Sequence, residues 1–263
     1  MADPDAAFAA KLQTDVPHAA RIWNYWMGGK DNFEADREAG DAVAGVYPEI
    51  VVMARESRQF LIRVVRYLVE AGMRQFLDIG TGLPTMQNTH EVAQPIAPES
   101  KIVYVDNDPL VMVHARALMA GYGGGPVRHV EADYHDPGAI LAEAAKTLDF
   151  DQPIVTMFMG VMGYEPDLDV VRSIVNTMVD ATAPGSHLVL WDGTDTSPSV
   201  VEGAAKLAES GGVPYILRSP EQLARCFDGL TMIEPGLVPI TQWRPDESDA
   251  ESIDAFGAVA RKP

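Results

Sequence analysis

The sequence predicts an α/β fold in which a mostly parallel, Rossmann-like sheet is flanked by helices and closes on an antiparallel hairpin. Three observations lead there. Short apolar segments between Phe76 and Trp191 alternate with stretches of helical periodicity, the pattern of right-handed βαβ units. The first of those segments runs straight into a glycine turn, Asp78-Ile79-Gly80-Thr81-Gly82. The last two apolar segments, Leu230 to Glu234 and Phe256 to Ala260, are joined by a polar stretch alone. Strands connected without a crossover helix pair antiparallel.

Residues 1–16 are polar and read as a flexible N-terminus. From Pro17 the pattern is helical: Ile22, Trp23, Trp26 and Met27 share a face, and Gly28-Gly29 stops the helix. Asp31 and Asn32 are placed to cap a second helix carrying Phe33, Val43, Val46 and Tyr47. Pro48 opens a longer one, with Phe60, Leu61, Val64, Val65 and Leu68 at helical spacing and Gly72 at its end. Residues 17–72 thus form a helical extension packed on a main domain, 73–263. There the strands are expected at 76–79, 101–105, 127–132, 153–158 and 186–191. Helical stretches follow the first four, ending near Gln94 and spanning Leu110 to Ala120, Gly138 to Leu148, and Leu168 to Ala181. A helix from Pro220 to Phe227 precedes the terminal strands; Cys226 within it reads as a small core residue.

Composition narrows the function classes. With 20 basic and 38 acidic residues the net charge is −18, a surface that repels phosphate backbones, so no nucleic-acid partner is expected. The single cysteine excludes an internal disulfide and any multi-cysteine metal site. The acidic N-terminus lacks the basic-then-apolar order of a signal peptide, and no apolar run is long enough to span a bilayer. A cytoplasmic protein without a membrane partner is expected.

Ligands of open parallel sheets bind beyond the carboxyl ends of the strands, where strand order reverses. The first strand end offers Asp78, Gly80, Thr81 and Gly82, whose glycines permit a tight turn and close approach of backbone to ligand. The second offers Asp106 and Asn107, about 20 residues on, where a nucleotide fold places the carboxylate that accepts both ribose hydroxyls. A helix cap is the alternative for Asp106 and the better reading for Asp108, which precedes Pro109. The third offers Asp133 and Tyr134; the carboxylate there either accepts from an adenine amino group or simply forms a turn. Dinucleotide loops carry a third glycine to seat a pyrophosphate, and Pro84 stands in its place. S-adenosyl-L-methionine has no phosphate, and its cationic sulfonium and ammonium suit an acidic pocket.

The run from Asp78 to Thr85 followed by Asn88-Thr89-His90-Glu91-Val92-Ala93-Gln94 resembles an actinobacterial family of S-adenosylmethionine methyltransferases, long catalogued as a domain of unknown function. Ala20-Arg21-Ile22-Trp23-Asn24-Tyr25-Trp26-Met27-Gly28-Gly29-Lys30-Asp31-Asn32 resembles the same family's N-terminal signature. The resemblance runs from about Pro17 to Lys262. It implies the seven-stranded class I methyltransferase fold, with Gly80, Gly82, Asp106 and Asp133 in cofactor-binding places, and it supplies no substrate.

Methyl transfer is an in-line displacement that needs orientation more than a nucleophile or metal, which fits the lack of a catalytic triad. Should the acceptor be a hydroxyl, Tyr25, His90 and Tyr164 are the candidate bases. Gly160 and Met162 follow the fourth strand and either line the site or form an ordinary turn. Trp23, Tyr25 and Trp26 either cover the cofactor or bind an aromatic acceptor, with core packing the better reading for the two tryptophans. Arg21, Asn24, Tyr25 and Asn32 are polar positions that packing explains less well. Arg21 is a substrate or lid candidate with Tyr25 and Asn32, and Tyr25 and Asn32 are expected to face the ligand. His90 to Gln94 falls one residue short of a zinc-protease motif, and no metal is expected. Two further classes stay open: a non-catalytic S-adenosylmethionine-binding regulator, and a nicotinamide-dependent oxidoreductase.

Overall fold

The computed structural model describes residues 13–84, 87–111, 113, 124–246 and 251–263. Helix α1 (Ala19–Trp26) starts at His18, whose ring nitrogen accepts from the Ala20 N–H. Helix α2 (Glu34–Val46) is entered through Phe33, not through Asp31 or Asn32. Its first turn is closed by Asp36, which accepts from the Phe33 N–H at 2.8 Å, while the Asn32 amide is turned back to Asn24 and Gly29. Helix α3 (Glu49–Glu70) buries the expected face and stops at Gly72, whose φ of +97° favours glycine.

The sheet comprises β1 (Gln75–Ile79), β2 (Lys101–Asp106), β3 (Val127–Glu131), β4 (Val155–Met159), β5 (His187–Gly193), β6 (Thr231–Met232), β7 (Val238–Pro239) and β8 (Ala255–Arg261). Their order is β3-β2-β1-β4-β5-β8-β6, parallel as far as β5 and antiparallel at β8. The predicted pairing of the terminal strands is present, with Met232 opposite Ala260. One detail differs. β5 occupies one edge of β8, so the two-residue strands β6 and β7 share the other, and the seventh position of the sheet is built from two pieces.

Short helices α4 (Thr89–Ala93), α5 (Pro137–Ala144) and α6 (Leu168–Asp180) cross between strands. The expected helix at 110–120 lies mostly outside the described residues. Helix α7 (Pro198–Glu209) is not among the predicted elements, yet it carries start and stop signals: Ser197 caps it, Pro198 opens it, and Gly211 follows. Its buried Val200, Gly203 and Leu207 face α2 and Tyr47. Helix α8 (Pro220–Ala224) ends in a 3-10 turn that buries Cys226, whose thiol is pushed up to about 12 chiefly by burial.

Alternate residues of β1 feed two cores. Phe76 packs into the layer of α1, α2, α3 and α7; Leu77 and Ile79 pack into the layer of α5, α6 and α8. Asp78 therefore points to the same face as α3, which decides what its carboxylate meets. Among the described residues no helix is long and apolar enough to cross a membrane.

Candidate functional site

Strand order reverses between β1 and β4, and a cleft of about 320 Å³ opens there at the carboxyl ends of the strands. Its floor is the turn after β1. Gly80 (φ +71°) and Gly82 (φ +67°) hold conformations that side chains rarely adopt, and a Cβ on Gly80 would lie 2.5 Å from Val161. The turn is pinned to β2 on both sides: the Gly80 N–H donates to the Val105 carbonyl, and the Gly82 N–H donates to Asp106 Oδ2 at 2.7 Å.

Asp106 is buried, and burial raises its pKa; the Gly82 and Asp108 N–H groups work against that. Each of its carboxylate oxygens takes one backbone donor, at 2.7 and 2.9 Å, leaving further lone pairs for a ligand. Asp108 serves a different task. Its Oδ1 accepts from the Leu110 N–H at 2.8 Å, the predicted cap, and its Oδ2 lies 3.0 Å from His18 Nδ1 and 3.9 Å from Arg21 Nε. Asp108 thereby fastens the start of α1 to the end of β2.

At the other end of the cleft, Asp78 accepts from the Thr89 hydroxyl at 2.7 Å. Burial raises its carboxyl to about 6, against the pull of Thr89 and the Arg58 guanidinium. Arg58 comes from α3 and is itself depressed by burial, with Asp78 as the first opposing charge. An acid and a base of opposite sign thus line one end of the cleft, each opposing the effect of burial on the other.

The rim by β3 carries a third device. His135 bridges Asp133, 2.6 Å from Nδ1, and Glu165, 2.8 Å from Nε2, joining the loops after β3 and β4. Desolvation is outweighed by these two carboxylates, and the imidazole is held above its usual range. Asp133 is in turn held below its usual range, the donors from His135 and Asn107 overcoming burial. His18, Trp23 and Met27 of the N-terminal segment close the cleft from above, beside Ser57 and Leu61 of α3.

The chain matches the model of the S-adenosyl methyltransferases over residues 5–263. It belongs to that family. A solved structure of a DUF574 family protein from Streptomyces avermitilis is 40% identical, covers 96% of this chain and all of its own, and has a TM-score of 0.90. A Thermobifida fusca protein assigned provisionally to the methyltransferases is 37% identical over the whole of this chain and 99% of its own, with a TM-score of 0.89. Magnesium protoporphyrin IX methyltransferase of Synechocystis, solved with bound S-adenosylmethionine, aligns over 100% of this chain and 98% of its own. Its 11% identity and TM-score of 0.54 show the shared fold alone. No curated protein matches. The chain is an S-adenosylmethionine-dependent methyltransferase with its acceptor unidentified, and it has the class I fold that the family resemblance implies.

Within that family frame, Asp78, Gly80, Thr81, Gly82, Asp106, Asn107, Asp133 and Tyr134 all line the one cleft, joined by Gly160 and Tyr164. Five other expected residues do not. Tyr25 donates to Asp41 at 2.7 Å near the surface, and Asn32 is spent on the turn after α1. Arg21 is buried against Asp36 and Asp108 beneath the roof, where a charge needs partners. His90 and its own N–H both meet the Tyr104 hydroxyl at 2.8 Å, on the α4 side of the sheet. Met162 is fully buried in the core under β4. Helix α1 thus presents Trp23 to the cleft where Tyr25 was expected, because the face that packs on the sheet is also the face over the ligand site.

Residues missed by the sequence reading are Arg58, His135, Trp191 and the pair Asp192 and Tyr215. Asp192 is next to last in β5, is fully buried, and accepts from the Tyr215 hydroxyl, which itself accepts from the Gly193 N–H at 3.2 Å. Burial lifts the Asp192 carboxyl to about 7, against Tyr215 and Arg218. A folded-state pKa above the unfolded one gives stability that is complete below about pH 4 and lost as pH rises through about 7. Asp192→Asn keeps an acceptor for Tyr215 and removes that loss. Thermal unfolding should therefore show the variant more stable than the parent at pH 8, on the order of a few kcal/mol. The gain should shrink steadily toward pH 4.5; a gain independent of pH would refute the assignment.

Proposed function

We propose that the enzyme methylates a small molecule in the cytoplasm, with the cofactor laid along the cleft from Asp106 to Asp78. The observation that carries this is that Asp78 and Arg58 line one end of the cleft and the half-committed Asp106 carboxylate the other. S-adenosylmethionine supplies an electrophilic methyl group on a sulfonium. Its amino-acid end is a zwitterion: Arg58 suits the carboxylate and Asp78 the ammonium. Asp106 accepts the ribose hydroxyls while it holds the Gly82 turn, and Asp133 beside Asn107 suits the adenine amino group. The glycine turn leaves backbone against the middle of the cleft with no side chain above Gly82.

The chain's own groups also suit the second half of the reaction. Residues 17–72 act as the helical extension that covers the site and excludes water from it, through His18, Trp23 and Met27. Burial raises the Tyr164 phenol, so it stays protonated and serves as a hydrogen-bond donor. Asp192, which burial brings near neutrality, is the better proton acceptor for a hydroxyl substrate, with the Tyr215 hydroxyl that donates to it passing the proton. The −18 charge and the apolar surroundings of the cleft favour a small acceptor over a nucleic acid.

Calorimetry with S-adenosylhomocysteine and NAD tests the cofactor placement. The sulfur nucleoside should bind with micromolar affinity, and NAD at least about 100-fold more weakly, roughly 2.7 kcal/mol. Tighter binding of NAD would overturn it.

A further inference from the structure

A second cavity of about 60 Å³ lies against the cofactor cleft, between the N-terminal helices and the end of β5. The two share Trp23, Tyr164 and Trp191 as walls, so whatever fills the smaller space abuts the larger. We infer that the smaller cavity is the acceptor subsite, built for a single uncharged aromatic ring bearing a hydroxyl group. The inference rests on the placement of S-adenosylmethionine in the larger cleft and names the substrate class of that same site.

The walls select against charge. Among the described residues lining the cavity none is charged, and a charged molecule entering it would lose its hydration without gaining a counterion. The walls are instead rich in rings that pack on one another: Trp23 with Trp26 edge-on at 5.5 Å, Trp23 with Trp191 at 5.9 Å, and Tyr164 with Tyr215 edge-on at 4.9 Å. To such an aromatic wall a ring can offer an edge or a face, which an alkyl chain cannot.

The volume limits the occupant to one ring. One water needs about 10–15 Å³ of such space. The cavity therefore replaces only a handful of waters, which is the bulk of one six-membered ring. Glycines keep it that narrow and no narrower. A Cβ on Gly193 would stand 3.1 Å from Leu217, and one on Gly203 would stand 3.0 Å from Tyr47.

Polarity enters at the junction of the two cavities. Tyr164 is a wall common to both cavities, and its phenol hydroxyl donates to no acceptor among the described residues. An oxygen on the ring that accepts from it sits where the acceptor must meet the methyl group. Tyr47 is not available for that role, since its hydroxyl is committed to Asp254 at 2.9 Å.

The probe is p-cresol, a neutral hydroxylated ring, titrated by calorimetry into the protein loaded with S-adenosylhomocysteine. It should bind, and 4-hydroxybenzoate, its carboxylate counterpart, should bind at least about 10-fold more weakly. Ala204 sits on the rim of the cavity on α7, partly exposed, and Ala204→Trp should fill the space. That variant should lose p-cresol by at least about 10-fold while its affinity for S-adenosylhomocysteine stays within about 2-fold. Should it fail to fold, Tyr164→Phe carries the test. Keeping the ring and losing the O–H, it should abolish the preference for p-cresol over toluene that the parent shows. A loaded protein that ignores p-cresol, or takes 4-hydroxybenzoate equally well, overturns the subsite and leaves the cofactor placement standing. Failure of S-adenosylhomocysteine to bind overturns that placement, and the subsite with it.

Discussion

Asp106→Ala should weaken binding of S-adenosylhomocysteine by about 1.5–3 kcal/mol, the range for hydrogen bonds to a charged group, or roughly 10- to 150-fold. Two losses combine. The ribose hydroxyls lose their acceptor, and the Gly82 N–H loses the carboxylate that fixes the glycine turn at 2.7 Å. Methylthioadenosine, which has the same ribose and no amino acid, should be weakened to a similar degree. Asp108→Ala, two residues on, should behave differently. Its Oδ1 caps the backbone at Leu110 and its Oδ2 faces His18 and Arg21, so the variant should lose stability, about 0.5–2 kcal/mol from the cap and more from the buried ion partners. Calorimetry and thermal unfolding on both variants decide the matter; a swap of the two effects would show the register of the second strand end to be misread.

These two aspartates also show what a sequence discloses. The positions of Asp78, Gly80, Gly82, Asp106 and Asp133 follow from strand period and from the rule that parallel sheets bind ligands at their carboxyl ends, because both are local or topological facts. Arg58 sits mid-helix in α3, with nothing in its neighbours to set it apart from the exposed Arg55. Only the packing of α3 over β1 brings it to Asp78. His135 and Glu165 come from loops 30 residues apart and meet only once β3 and β4 are in one sheet. Tyr25 and Trp23 exchange places for a similar reason: polarity suggests that the tyrosine faces a ligand, yet on this helix the apolar face is the one turned to the cleft. Helix α7 is legible in its Ser197-Pro198 start and is hidden only by the glycines and serines around it.

Arg58→Met should have the largest effect on the cofactor. The part-buried guanidinium lines the cleft with Asp78 as its first opposing charge, and burial lowers its pKa, so its charge is held there at a cost to the empty protein. Truncating one member of a buried charge pair costs about 2–5 kcal/mol in binding, here roughly 30- to several-thousand-fold weaker S-adenosylhomocysteine. Methionine matches the length of the arginine stem, but it leaves the buried Asp78 carboxylate without its opposing charge. Thermal stability of the unliganded protein should therefore fall at pH 8 and recover as the pH drops below about 6 and Asp78 takes up a proton. Losing the opposing Arg58 charge should also lift the Asp78 carboxyl above the value of about 6 that burial gives it in the parent. Methylthioadenosine is the decisive control. It lacks the carboxylate that Arg58 is assigned to hold, and its affinity should stay within about 2-fold in Arg58→Met, while Asp106→Ala weakens both ligands. If Arg58→Met weakened both ligands alike, the arginine would be a structural prop for the cleft. If it weakened neither, the amino-acid end of the cofactor would lie elsewhere, and the orientation of the ligand along the cleft would have to be reversed.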